Sequence, residues 1–141
     1  MNITTIMTKV STIMTKDVIT VDMDTSLKTI CAIFKERKFH HLLVVEGKKM
    51  FGVISDRDVL KAVSPFLNTL AEQARDLSTL KKRAHQIMSR KPTTITKDMD
   101  LRDAARLMLQ KNISCLPVLS SEGEIEGIVT WKDLLKAYTQ Q

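Results

Sequence analysis

The residues best suited to chemistry lie in two stretches, Gly52-Val53-Ile54-Ser55-Asp56-Arg57-Asp58 and Gly127-Ile128-Val129-Thr130-Trp131-Lys132-Asp133. Each reads Gly, two apolar residues, a hydroxyl, any residue, a base and an Asp. A Ser or Thr three residues before an acid is a capping box at a helix start, and that reading needs no ligand. A ligand reading stands beside it. Arg57 and Lys132 share a first-turn position where the helix dipole disfavours a cation by about 0.3–1 kcal/mol, a penalty that a bound anion reverses. Free N–H groups at a helix start seat phosphate, a hydroxyl donates to it, and a carboxylate accepts from a ribose diol as in dinucleotide sites. Both corners therefore suit a ribose phosphate, with Asp56 as a rival partner for Arg57 in the first.

These corners belong to a longer repeat. Ile13-Met14, Thr20-Val21, Asp24, Leu27, Leu42, Val44, Gly52, Ser55 and Asp58 recur as Ile87-Met88, Thr94-Ile95, Asp98, Leu101, Leu116, Val118, Gly127, Thr130 and Asp133. Gly47 answers Gly123, so all four glycines obey the register, with one residue inserted in the glycine-containing turn of the second copy. Two copies of one supersecondary unit make up the chain. Each copy of about 50 residues is marginal alone, so the two are expected to pack on each other.

Within a copy the pattern predicts strand, helix, two strands, helix. Residues 18–21 are β-branched and lead into Asp24-Thr25-Ser26, a cluster of N-cap residues. Leu27, Ile30, Cys31 and Phe34 then fall on one helical face, as do Leu101, Ala104, Ala105 and Met108 in the second copy. There Asp100 and Asp103 stand as a cap and its N3 acid. Residues 42–45 and 116–119 are unbroken apolar runs suited to covered strands. Residues 46–49 and 121–124 turn the chain into the strands of Gly52 and Gly127, and a closing helix starts at Ser55 or Thr130. Val59, Leu60, Leu134 and Leu135 on these closing helices imply apolar faces that need covering. Residues 62–83 hold no repeat; Pro65 followed by Leu67, Leu70, Ala71, Ala74 and Leu77 predicts an extended connecting helix, either a solvated linker or a contact surface.

Composition narrows the function classes. The formal net charge of +6 invites nucleic acid, but the basic residues are scattered among acids with almost no aromatics for stacking, which favours small anions over nucleic acid as partners. No apolar run is long enough to span a bilayer, and Met1-Asn2-Ile3-Thr4-Thr5 lacks a signal-peptide pattern, so a cytoplasmic protein with no membrane partner is expected. Cys31 and Cys115 form no disulfide framework or zinc site and are expected to be free thiols. Paired carboxylates, a Cys-His-acid order, metal spacing and a Walker loop are all missing, so no enzyme and no metal site is expected.

With Ile13-Met14 and Ile87-Met88, the Leu42–Val45 and Leu116–Leu119 strands and the two corners occurring twice in order, the chain resembles a tandem pair of CBS domains, or Bateman module. Residues 56–62, the stand-alone pair and the long connector are also similar to bacterial CBS proteins of the acetoin-utilisation type. The resemblance implies an α/β fold of two pseudo-symmetric β-α-β-β-α repeats packed as one module. The corresponding expected organisation is an N-terminal tail at 1–10, repeats at 11–62 and 85–138, and a connecting helical segment at 63–84.

The same resemblance implies a regulatory, non-catalytic module, with an adenosine-containing ligand such as AMP, ADP, ATP or S-adenosylmethionine as regulatory ligand and no other cofactor. Its ligand clefts lie between the repeats in the family. Carried over by position, one would use Thr130, Lys132 and Asp133 with Thr20, Val21, His40 and His41. The other would use Ser55, Arg57 and Asp58 with Thr94, Ile95, Ser114 and Cys115. His40 and His41 stand where some relatives hold phosphate, though adjacent histidines also occur as plain surface residues. Leu43 where the second copy has Pro117, and Val18 where it has Pro92, depart from the family pattern. Trp131 suits stacking on a base or a subunit contact. Family behaviour implies a homodimer and a downstream target protein that the residues do not identify. A ligand-free interaction module and a nucleic-acid-associated regulator are the alternative readings.

Overall fold

The computed structural model describes residues 8–140, so the Met1–Thr5 stretch and most of the N-terminal tail lie outside the described residues. The chain forms two compact units, and these do not follow the linear repeats. Among the described residues, one unit joins those up to Val18 to those from Pro92 onward; the other is Ile19–Lys91. The leading segment of each sequence copy thus folds with the body of the other copy.

In the Ile19–Lys91 unit, β1 (Thr20–Asp22) is followed by α2 (Leu27–Glu36), β2 (His41–Glu46), β3 (Lys49–Ser55) and α3 (Asp56–Ala62); α1 (Val10–Ile13) belongs to the other unit. α2 starts at Ser26, whose hydroxyl accepts from the Thr29 N–H. β1 pairs parallel to β2, and β2 pairs antiparallel to β3 through a turn at Gly47, where φ is +61°. Leu27, Ile30, Leu42, Val44, Ile54 and Val59 form the core, with Cys31 and Phe34 at its edge. The unit is completed by α5 (Ala84–Ile87) and β4 (Ser89–Arg90), which pairs antiparallel to β3 opposite Gly52 and Val53.

The other unit repeats this plan. α1 (Val10–Ile13) stands in for α5, Thr15 bridges to Ile128, and α6 (Leu101–Lys111), β5 (Cys115–Leu119), β6 (Ile125–Thr130) and α7 (Trp131–Thr139) supply the body. The correspondence extends to backbone bonds: the Val10 N–H donates to the Met99 carbonyl, and the Ala84 N–H to the Thr25 carbonyl. Val10, Ala104, Met108, Leu116, Val118 and Val129 form its core. Asp100 caps α6 by accepting from the Arg102 N–H, whereas Asp103 turns to Arg106 at 3.1 Å, so the expected cap is made and its reciprocal acid is diverted.

The structure departs from expectation in three further places. The second copy's opening strand is reduced to one bridge, Ile95 to Val118. In the first copy the Leu43 N–H donates to the Ile19 carbonyl at 3.0 Å; Pro117 occupies the equivalent position and has no N–H, so the ladder stops one bond short. The expected connecting helix is also broken, leaving α4 (Ala74–Ser78) and a 3-10 turn at Thr79–Lys81. Pro65 and the left-handed Asn68, with φ of 62°, interrupt helical geometry. The buried Asp76 then fixes the chain by accepting from the Ser64 hydroxyl at 2.6 Å and the Gln73 N–H at 2.7 Å. These bonds, Ser64 first, hold the Asp76 carboxyl below its ordinary range. Its contribution to stability is therefore present above that range and lost on acidification. Finally, Val59 is buried and Leu134 packs against the core, while Leu60 and Leu135 remain exposed. Only half of the expected outward face of each closing helix is outward.

Candidate functional site

Each strand-to-helix corner is a complete capping box. At the first, the Asp58 N–H donates to Ser55 Oγ at 3.1 Å, and Asp58 Oδ2 accepts from the Ser55 N–H at 2.9 Å and the Ser55 hydroxyl at 3.0 Å. At the second, Asp133 Oδ2 accepts from the Thr130 N–H at 2.9 Å and the Thr130 hydroxyl at 3.2 Å. The return bond from the Asp133 N–H to Thr130 Oγ1 is longer, 3.5 Å. The structural reading of these residues is thus realised in full. It leaves Asp58 Oδ1 without a donor among the described residues, and it leaves Arg57 and Lys132 exposed on the first turns.

In the Ile19–Lys91 unit, sheet register brings Thr20, Val21 and His41 beside the Ser55 corner, whereas the carry-over by position sets them with Thr130, Lys132 and Asp133 of the other unit. His41 is the cross-strand neighbour of Ser55, and Thr20 and Val21 lie on the strand beside β2. Thr20 is exposed and Val21 buried. The expected rivalry between Asp56 and Arg57 is replaced by another pair. His40 Nδ1 lies 2.7 Å from Asp56 Oδ2, and the Asp56 N–H donates to the His40 carbonyl at 3.0 Å. Desolvation at the Asp56 carboxyl is outweighed by its His40 bond and charge, by the Arg57 N–H and by His41, so its pKa lies below the ordinary value. Burial pushes the His41 imidazole below its usual range, against the raising effect of Asp56 and Asp58. His41 is accordingly neutral at physiological pH.

The other unit holds the matching set. Cys115 pairs across the hairpin with Thr130, the Ser114 carbonyl accepts from the Trp131 N–H, and Ile95 is buried against β5 beside the exposed Thr94. Burial, with the Asp133 charge adding to it, pushes the Cys115 thiol up to about 12. Cys115 is a buried free cysteine, and its thiol should stay unmodified by iodoacetamide at pH 8 until the chain unfolds. Mass spectrometry of pulse-labelled protein checks this; rapid native labelling would contradict the burial.

Thr15 escaped the sequence reading. Its hydroxyl donates to Asp133 Oδ1 at 3.0 Å, placing a residue 118 positions away at the corner. The available signal was a hydroxyl, Thr15 or Ser89, directly after the methionine of each copy. Among the described residues no three His, Cys, Asp or Glu side chains are grouped to hold a metal ion.

The comparisons with known proteins agree with this geometry. The CBS domain family model matches residues 10–65 and 84–140. A CBS domain-containing protein of Dictyostelium discoideum is 35% identical over 128 residues, covering 89% of this chain and 88% of its own. An uncharacterised Methanocaldococcus jannaschii protein is 30% identical over 145 residues, covering 86% of each. Among solved structures, the CBS domain pair of protein MJ0100 in complex with 5′-methylthioadenosine and S-adenosyl-L-methionine matches with a TM-score of 0.79 at 27% identity, over 95% of this chain and 98% of that one. CBSX2 in complex with AMP matches with a TM-score of 0.76 at 26% identity, over 94% and 96%. An AcuB protein from Vibrio cholerae shares the fold, with a TM-score of 0.77 at 23% identity over 96% and 93%. Two family matches, in register with the two corners and spanning most of the sequence, establish that this chain belongs to the CBS domain family as a tandem pair.

Proposed function

We propose that this chain is a regulatory, non-catalytic module that binds an adenosine-containing ligand, AMP, ADP, ATP or S-adenosylmethionine, and requires no other cofactor. The observation that carries the reading is its near full-length similarity to two CBS pairs in complex with adenosine ligands. The residues support it. Ser55, Arg57 and Asp58 in one unit, and Thr130, Lys132 and Asp133 in the other, take ribose and phosphate. Thr20, Val21, His40 and His41, and Thr94, Ile95, Ser114 and Cys115, line the base and the remaining phosphate oxygens. Asp58 Oδ1 is an acceptor available to a sugar hydroxyl, and the exposed Arg57 and Lys132 supply positive charge.

Melting the protein with and without millimolar ligand, in magnesium-free and magnesium-containing buffer, tests the reading. Ligand at one hundred times its Kd adds about 2.7 kcal/mol to stability, a shift of several degrees for a chain of this size. A flat response to every ligand contradicts it.

Self-association belongs to the same proposal, because the closing helices leave Leu60 74%, Leu135 53% and Tyr138 77% exposed. Such apolar surface favours a partner, and a second copy is the simplest one. Sedimentation velocity of Leu135→Glu should show monomer where the wild type shows dimer; a monomeric wild type contradicts the dimer. The free thiols of Cys31 and Cys115 fit a cytoplasmic setting. The downstream target is a protein whose affinity for the module differs between its ligand-free and ligand-bound states.

A further inference from the structure

The two corners have the same backbone but leave different numbers of acceptor sites open. A carboxylate offers about four lone-pair positions, two on each oxygen. In both corners Oδ2 is filled by the box: Ser55 N–H and hydroxyl at Asp58, Thr130 N–H and hydroxyl at Asp133. At Asp58 the second oxygen accepts from nothing among the described residues. At Asp133 the Thr15 hydroxyl takes one of its two positions, at 3.0 Å.

Thr15 is held in place by its own backbone. Its N–H donates to the Ile128 carbonyl at 2.8 Å and its carbonyl accepts from the Ile128 N–H at 2.9 Å. Gly127 permits this approach, since a Cβ there would lie 2.8 Å from the Thr15 carbonyl oxygen. The Ile19–Lys91 unit places Ser89 opposite Val53 in the same register, again over a glycine, yet Ser89 makes no bond to Asp58. The difference is therefore one of side chain, not of strand geometry. Nor is Thr15 needed to aim the carboxylate, because the box alone holds Asp58.

We infer that Thr15 is a specificity-determining residue: it limits the Asp133 corner to one hydroxyl of a sugar ligand, whereas the Asp58 corner accepts both hydroxyls of a vicinal diol. The inference rests on the ribose reading of the corners proposed above. It predicts that the two corners of one chain differ in their tolerance of deoxy-sugars, with the Asp133 corner the permissive one.

Titration calorimetry with AMP, 2′-deoxy-AMP and 3′-deoxy-AMP tests it on the full chain. Asp58→Ala isolates the Asp133 corner, and there at least one deoxy analogue should bind within about threefold of AMP. Asp133→Ala isolates the Asp58 corner, and there both analogues should bind about tenfold or more weakly, the effect of one lost charge-assisted hydrogen bond. Adding Thr15→Val to Asp58→Ala should bring the stringent, tenfold pattern to the Asp133 corner, and Thr15→Ser should leave it permissive. A purely structural role for Thr15 would weaken all three nucleotides alike and leave their ratios unchanged. Equal ratios in the two isolated corners, or ratios unmoved by Thr15→Val, overturn the inference while leaving the adenosine reading intact. Should Thr15→Val fail to fold, the comparison of Asp58→Ala with Asp133→Ala decides alone, since both retain Thr15. Failure of the wild type to bind AMP or either analogue overturns this inference, and the ribose reading falls with it only if ADP, ATP and S-adenosylmethionine also fail to bind.

Discussion

Gly127→Ala is expected to lower the melting temperature on the order of 10 °C, and Gly52→Ala to do the same. Neither glycine is needed for a turn. An alanine Cβ at Gly127 would lie 2.8 Å from the Thr15 carbonyl oxygen and 3.0 Å from Met14 Sδ. At Gly52 it would lie 2.8 Å from the Ser89 carbonyl oxygen and 2.6 Å from Met88 Sδ. A methionine tip can move aside, but the carbonyls belong to strand pairings, Thr15 with Ile128 and Ser89 with Val53, so the backbone itself must shift. Overpacking of this kind costs about 1–3 kcal/mol, and a backbone obstacle puts these two sites at the upper end. Gly47 and Gly123 provide the control. They have positive φ, 61° and 83°, but nothing lies within 4 Å of an added Cβ. Their alanine variants should lose only about 1 kcal/mol from the left-handed conformation. Thermal melts of the four variants check the order; equal losses would contradict the close approach.

The second large effect concerns the corner carboxylates. Asp133→Ala and Asp58→Ala should each remove adenosine-ligand binding at their own corner, lowering affinity there at least about tenfold. The same changes should cost the fold only about 1 kcal/mol, the usual worth of a helix cap. The contrast separates two roles that demand the same residues. A corner that only caps would lose the stability and nothing else. Thr130→Ala sharpens the comparison, because it removes the cap oxygen and one donor to Asp133 Oδ2 while keeping the carboxylate. Ligand affinity should fall less in Thr130→Ala than in Asp133→Ala, at similar melting temperatures.

Much of this was legible in the residues. The repeat register placed both hairpins and closing helices, because apolar runs, turn glycines and N-cap hydroxyls are local signals. The Ser55 and Thr130 boxes follow from the same local chemistry. What the sequence hid depends on distant partners. That the Ile13-Met14 segment folds with the second copy's body, and Ile87-Met88 with the first, is fixed by backbone bonds such as Val10 to Met99 and Ala84 to Thr25. The loss of the second copy's opening strand follows from the missing N–H of Pro117, whereas the sequence reading marks Leu43 in the first copy, not Pro117, as the departure from the family pattern. The connector's apolar spacing suggested a helix, but Pro65 and the Ser64–Asp76 bond prevail over periodicity. Thr15 was invisible for the same reason, its role arising from a bond spanning 118 residues. For His40 the sequence leaves phosphate contact and a plain surface position open, and its bond to Asp56 depends on a strand pairing that composition does not encode.

Isothermal titration of AMP and of S-adenosylmethionine into the wild type and into Asp58→Ala/Asp133→Ala tests the central claim most directly. Saturable binding of at least one ligand to the wild type, abolished in a double variant that still melts cooperatively, is the predicted result. Binding that survives in the double variant would show that the corners are caps alone and the ligand is held elsewhere; a wild type that binds neither of these ligands, nor ADP or ATP, would show that the module works through protein contacts.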